Sequence, residues 1–157
     1  MKAVLISIQP QWCKRIFNGE KTIEVRKTRP LIDMPFKVFV YETKAQFVKS
    51  IRGACTTFGY GRGKVIGSFV CDRIDEIEPD LEYYSDGYDI DDDRLAETCL
   101  TREQLREYGK GVTLYGWHIT EPKLFDKPRE LGEFYDGRGR PIKRAFQSWG
   151  YCNGEEN

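Results

Sequence analysis

The segment Gly19-Glu20-Lys21-Thr22-Ile23-Glu24-Val25-Arg26 brings an ammonium, a carboxylate and a guanidinium close together in sequence. Polar and apolar residues alternate from Thr22 to Arg26, which predicts a strand with Ile23 and Val25 on one face. Thr22, Glu24 and Arg26 share the other face, Glu24 and Arg26 about 7 Å apart. Lys21 stands at the mouth of that strand, and Gly19 supplies the turn into it. A carboxylate accepts N–H donors, a guanidinium offers them as a rigid fork, and an ammonium is a mobile point charge. The mixture suits a nucleobase or a phosphate: Lys21 for phosphate, Arg26 for phosphate or a base edge, Glu24 for a base amino group. The same spacing also fits an exposed strand face with an ordinary ion pair.

Two further basic stretches bear on phosphate. In Gly59-Tyr-Gly61-Arg62-Gly63-Lys64, successive free N–H groups can form an anion nest beside Arg62 and Lys64. It is not a Walker A loop, because Val65 stands where Ser or Thr is required and a strand follows. In Arg138-Gly-Arg140-Pro-Ile-Lys143-Arg144, cations precede Phe146 and Trp149, a pattern that serves phosphates and stacked bases. The alternative is a solvated tail whose two rings dock on the core. His118 is the lone histidine and reads as a packed strand residue, with a general-base role as the alternative. Trp12 and Trp117 read as core. Asp86–Asp93 fails the calcium-loop pattern, since Arg94 and Leu100 stand where glycine and glutamate are needed. The five cysteines are scattered, with no CxxC pair, so no metal site and no cofactor are expected.

These groups need a scaffold. Ala3–Ile8 reads as a strand with one well-buried face. Pro10 opens a helix of about two turns that Asn18-Gly19 ends. Lys37–Tyr41 and Lys64–Asp72 read as strands, and Thr43–Ile51 has some helical spacing. Thr101 caps a short helix, with Gln104 at the capping-box position. Val112–Ile119 is a further strand. Between these lies an acidic insertion, about residues 75–98, with Tyr83, Tyr84 and Tyr88 along it. An irregular tail, begun by turns at Pro122 and Phe125, occupies about residues 126–157. No alternation of strands with long helices is present, which excludes Rossmann and TIM arrangements. The expectation is a single α+β domain over residues 1–157, built as a small mixed β-barrel with a short helix after the first strand.

Charge is segregated although the total is zero. Residues 1–71 carry thirteen Lys/Arg against four Asp/Glu, and residues 72–97 carry twelve acids against two bases. A basic first half favours an anionic partner, and the acidic insertion suits a basic protein partner. No apolar run reaches the ~20 residues of a membrane-spanning helix. Without a signal-like leader, a cytoplasmic location is expected.

GEKTIEVR matches G-x-K-x-x-E-x-R at all four specified positions and resembles the motif of ASCH domains, in the PUA-like superfamily. Its setting, SIQPQWCKRIFNGEKTIEVRK followed by GKVIGSFVCDRI, resembles that family too, over about residues 2–125. The closing RPIKRAFQSWGYC resembles prophage-associated bacterial versions. The resemblance implies a PUA-like β-barrel that binds RNA or a nucleotide-like ligand, its cleft lined by Lys21, Glu24 and Arg26. Some small ASCH-like enzymes hydrolyse acylated cytidine with the motif lysine and a threonine. Here Glu24 occupies the threonine's place, and Thr22 is one strand repeat away. The alternatives are a ribonuclease or amidohydrolase using Lys21 and Glu24, or a protein-interaction module.

Overall fold

The computed structural model describes residues 1–49, 55–80 and 87–154, with residues 45–49 and 55–60 as backbone only. Tyr83 and Tyr84 lie outside the described residues. The chain runs β1 (Lys2–Ile8), α1 (Pro10–Phe17), β2 (Ile23–Arg26), β3 (Phe36–Glu42), β4 (Ala45–Lys49) and β5 (Cys55–Tyr60). It continues with β6 (Lys64–Ile77), α2 (Asp92–Thr98), α3 (Arg102–Gly109), β7 (Leu114–Arg129) and β8 (Trp149–Asn153). Six strands form one sheet in the order β2-β7-β6-β3-β1-β8, and β4 and β5 pair as a separate hairpin. Only β1 and β3 run parallel in that sheet, because α1 and β2 carry the chain back between them. No helix among the described residues is long and apolar enough to cross a membrane.

The fold is the expected α+β arrangement, but the sheet does not close into a barrel. The edge strands β2 and β8 share no ladder. Side chains bridge the seam instead. Arg26 at the end of β2 donates to Ser7 O and to Ser148, and Trp149 Nε1 donates to Thr28 Oγ1 at 2.9 Å. A gap that only side chains cross is a natural place for a cavity.

The C-terminal region differs most from its expected form. β7 continues through Pro122 and Phe125 to Arg129. Thr120 opposes Val70 and Lys123 opposes Ser68, so two residues face one across the ladder. That bulge accommodates Pro122, which has no N–H to give, next to Glu121 at φ +50°. The last strand, β8, pairs antiparallel with β1, Val4 opposite Tyr151. Phe134, Ile142 and Phe146 then pack on Ala3, Leu5 and Phe39. On the other face of β1, Val4, Ile6 and Ile8 pack with Cys13 and Ile16 of α1 and with Trp117. β1 is thus buried on both faces, where its alternation pointed to one. The acidic insertion also carries more order than a loop at both ends, since Asp75–Ile77 belong to β6 and Asp92–Thr98 form α2. Residues 45–49, with their hint of helical spacing, are strand.

Candidate functional site

The turn after α1 sets the position of Lys21. Gly19 adopts φ +87°, with open space where a side chain would lie, so glycine serves the backbone there. Glu20 N donates to Asn18 Oδ1 at 2.9 Å, and Lys21 N to Arg15 O at 2.9 Å. Thr22 N then donates to Glu97 O, which ties the entry of β2 to the end of α2. Along β2, Ile23 and Val25 join Ile77, Leu105 and Leu114 in an apolar cluster. Glu24 and Arg26, on the opposite face, line a cavity of about 330 Å³ at the open seam of the sheet. Its other walls come from the end of β1 (Ser7, Ile8), Gln9, Trp12 of α1, Thr43, Leu100, Gln104 and Tyr108 of α3, and Gln147.

The three charged groups of the motif do converge, and they are nearly dehydrated. Lys21 is 2% exposed and Glu24 7%. Lys21 Nζ donates to Thr98 O, lies 3.8 Å from Glu24 Oε2 and stands 5.1 Å from the Trp12 ring centroid. Burial pulls the Lys21 pKa below its ordinary value, and the Glu24 carboxylate opposes that shift. Arg26 spends its donors inward: Nε on Glu24 Oε1 at 3.4 Å, Nη2 on Ser7 O at 2.9 Å, and Nη1 on Ser148 Oγ at 3.2 Å. Glu24 is the under-satisfied member. Its carboxylate has about four acceptor sites, yet Oε1 accepts one long bond and Oε2 accepts none among the described residues. Two basic side chains are thus held around one carboxylate.

The remaining residues named from sequence lie elsewhere. Thr22 precedes β2 and does not line the cavity. The anion nest is taken by the chain itself: Arg62 N donates to Glu42 Oε1 at 2.8 Å and Gly63 N to Glu42 O at 3.0 Å. Lys64 pairs with Glu130 at 3.0 Å. Arg140 pairs with Asp136 at 2.9 Å, while Lys143 and Arg144 are exposed a few residues ahead of Gln147. His118 is outside the cavity, 2.6 Å from Asp75, whose carboxylate also meets Arg73 and Arg94. Trp117 is core, and Trp12, also expected there, is half-buried, packed against the core while lining the cavity. Burial pushes the thiols of Cys71 and Cys152 up to about 12 and raises that of Cys13, so these three are not thiolates at neutral pH.

Sequence reasoning missed Gln9, Tyr108 and Gln147 on the walls. Gln9 carried a signal: it holds the N-cap position of α1 without capping it, so its side chain is available to the cavity. Tyr108 and Gln147 reach the cavity only through the packing of α3 and the C-terminal segment, which local pattern does not reveal.

No protein-family model matches the chain, and no curated protein matches it. Solved structures do. The crystal structure of ASCH from Zymomonas mobilis is similar with a TM-score of 0.61 at 20% identity, covering 96% of this chain and 87% of that one. A serine-to-alanine variant of that protein aligns with a TM-score of 0.63 at 19% identity, covering 96% and 88%. Identities this low establish fold and no more. The chain shares the fold of these ASCH structures, the family that its motif resembles.

Proposed function

We propose that the chain binds RNA, holding one nucleobase in the cleft floored by Lys21, Glu24 and Arg26. The observation that carries this reading is the under-satisfied carboxylate of Glu24 on the cavity wall. A buried acceptor without a donor is costly, and a base N–H relieves that cost. The two cations of the motif are already committed to Glu24 and to backbone carbonyls. In this reading they hold and balance Glu24 rather than grip phosphate. Trp12 and Tyr108 add ring surface from two helices, and about 330 Å³ is at the small end of ligand pockets. Phosphates fall to exposed cations, chiefly Lys143 and Arg144, which sit upstream of Gln147 at the cavity.

The test is a competition assay with a fluorescent RNA of about ten nucleotides. Free nucleosides displace it, and inorganic pyrophosphate at matched ionic strength does not. Pyrophosphate displacing the RNA as well as nucleosides do would place phosphate in the cleft and overturn the proposal.

A hydrolase is the second reading, favoured by one observation: the lowered pKa of Lys21 beside a carboxylate in a cavity. Glu24 then acts as base and Lys21 stabilises developing negative charge. Products from RNA or acylated cytidine that vanish in Glu24→Gln support it. No products from either substrate exclude it for both.

A further inference from the structure

Gln104 is the third residue of α3, and its amide has two ends with different fates. Its Oε1 accepts the N–H of Thr101 at 2.9 Å, while Gln104 N donates to Thr101 Oγ1 at 3.1 Å, the reciprocal capping box of this helix. Only an oxygen can accept that N–H, so the box fixes which way the amide points. The Nε2 group, with two N–H donors, is left over. It has no hydrogen-bond partner among the described residues, and Gln104 is an exposed wall residue of the cavity that Glu24 also lines. Glutamate serves a capping box as well as glutamine does, and α3 would welcome its charge near the N-terminus. What glutamine alone adds is a spare donor on a residue of the cavity wall.

We infer that Gln104 is a specificity-determining residue: its Nε2 donates to the acceptor next to the N–H that Glu24 accepts on the same base. This rests on the RNA-binding reading above and narrows it to a class of ligand. The cleft takes a planar heterocycle whose edge presents an N–H beside a carbonyl oxygen or ring nitrogen. Every unmodified nucleobase has such an edge, and N3-methyluracil, whose ring keeps no N–H, does not. Since Gln104 arrives from the segment after the acidic insertion, that segment takes part in selecting the ligand.

The experiment measures binding of fluorescent A, C and U homopolymers of about ten nucleotides to wild type, Gln104→Glu and Gln104→Met, with thermal melts of each protein. Gln104→Glu keeps the capping box and removes the donor. The expected result is a melting temperature no lower than that of wild type and a loss of about tenfold or more for the tightest homopolymer, the scale of one hydrogen bond to a ligand. Gln104→Met removes the donor without adding charge and shows a loss of similar size. Wild-type affinity in Gln104→Met, whatever Gln104→Glu does, overturns the inference, because the effect of glutamate is then repulsion alone. If the Gln104 variants bind normally while Glu24→Gln binds poorly, this inference fails and the RNA-binding reading stands. No binding by wild type overturns both.

Discussion

The floor of the cleft and the stretch Arg138–Arg144 contain the same kinds of cation in opposite surroundings. Lys21 and Arg26 are almost dehydrated, and each is spent on the carboxylate between them or on a backbone carbonyl. Lys143 and Arg144 are exposed. A buried cation that already has partners contributes geometry and holds another group in place. An exposed one contributes long-range attraction that salt screens. Counting bases along the sequence puts both groups in one class, and only burial separates them. Under the proposed function, recognition falls to the cleft and salt-sensitive affinity to the tail.

The largest effect is expected where the buried group is altered. Glu24→Gln removes the charged acceptor and leaves two cations facing each other. RNA affinity should fall by about 1.5–3 kcal/mol, roughly 10- to 100-fold, with the slope of affinity against salt unchanged. A changed slope with little loss at low salt would erase the distinction between the two regions.

Next in size is Lys21→Met, which should destabilise the fold by about 1–3 kcal/mol by stripping Thr98 O of its donor and Glu24 of a neighbouring cation. The pH dependence carries a sign. The folded-state pKa of Lys21 lies below its unfolded value, so between the two the unfolded chain binds more protons. Wild-type stability therefore gains a rising contribution from Lys21 as pH climbs through the folded pKa towards the unfolded one. Urea titrations across alkaline pH should show that rise in wild type and its loss in Lys21→Met. Parallel curves would mean that Lys21 is not strained by burial.

A smaller change is expected at the exposed group. Lys143→Ala with Arg144→Ala should weaken RNA binding about three- to tenfold near 0.1 M salt and flatten the salt slope by about 1.4, two phosphates' worth on a single strand. An unaltered slope would move phosphate contact elsewhere.

The smallest effect lies outside both regions, at Asp75. Burial raises its pKa, but the hydrogen bond and charge of His118, with Arg73 and Arg94, outweigh that and leave it lowered. Its contribution is present above the unfolded carboxylate pKa and is lost as pH falls through the folded one. Asp75→Asn should cost about 1 kcal/mol or less at neutral pH and nothing at strongly acid pH, by urea titration. RNA binding should not move.

What could be read from sequence was local. Period-two alternation placed Glu24 and Arg26 on one face, Pro10 and Asn18-Gly19 bounded α1, and Thr101 with Gln104 announced a capping box that the structure contains. What could not be read depended on distant segments meeting. Pro122 looked like the end of a strand because its bulge exists only against Phe69 of β6. Trp12 looked like core and does pack against it, but it also lines the cavity, which no local pattern reveals. The nest at Gly61–Gly63 looked open because Glu42, which fills it, lies about twenty residues earlier.

The claim that a base enters the cleft is most directly tested at Trp12. Its indole N–H resonance can be assigned with Trp12→Phe and followed as a nucleoside is titrated into the nitrogen-15-labelled protein. The account requires that resonance to move in step with binding while that of the fully buried Trp117 stays nearly still. A nucleoside that shifts only backbone signals from residues 138–144, with Trp12 unmoved, would contradict it.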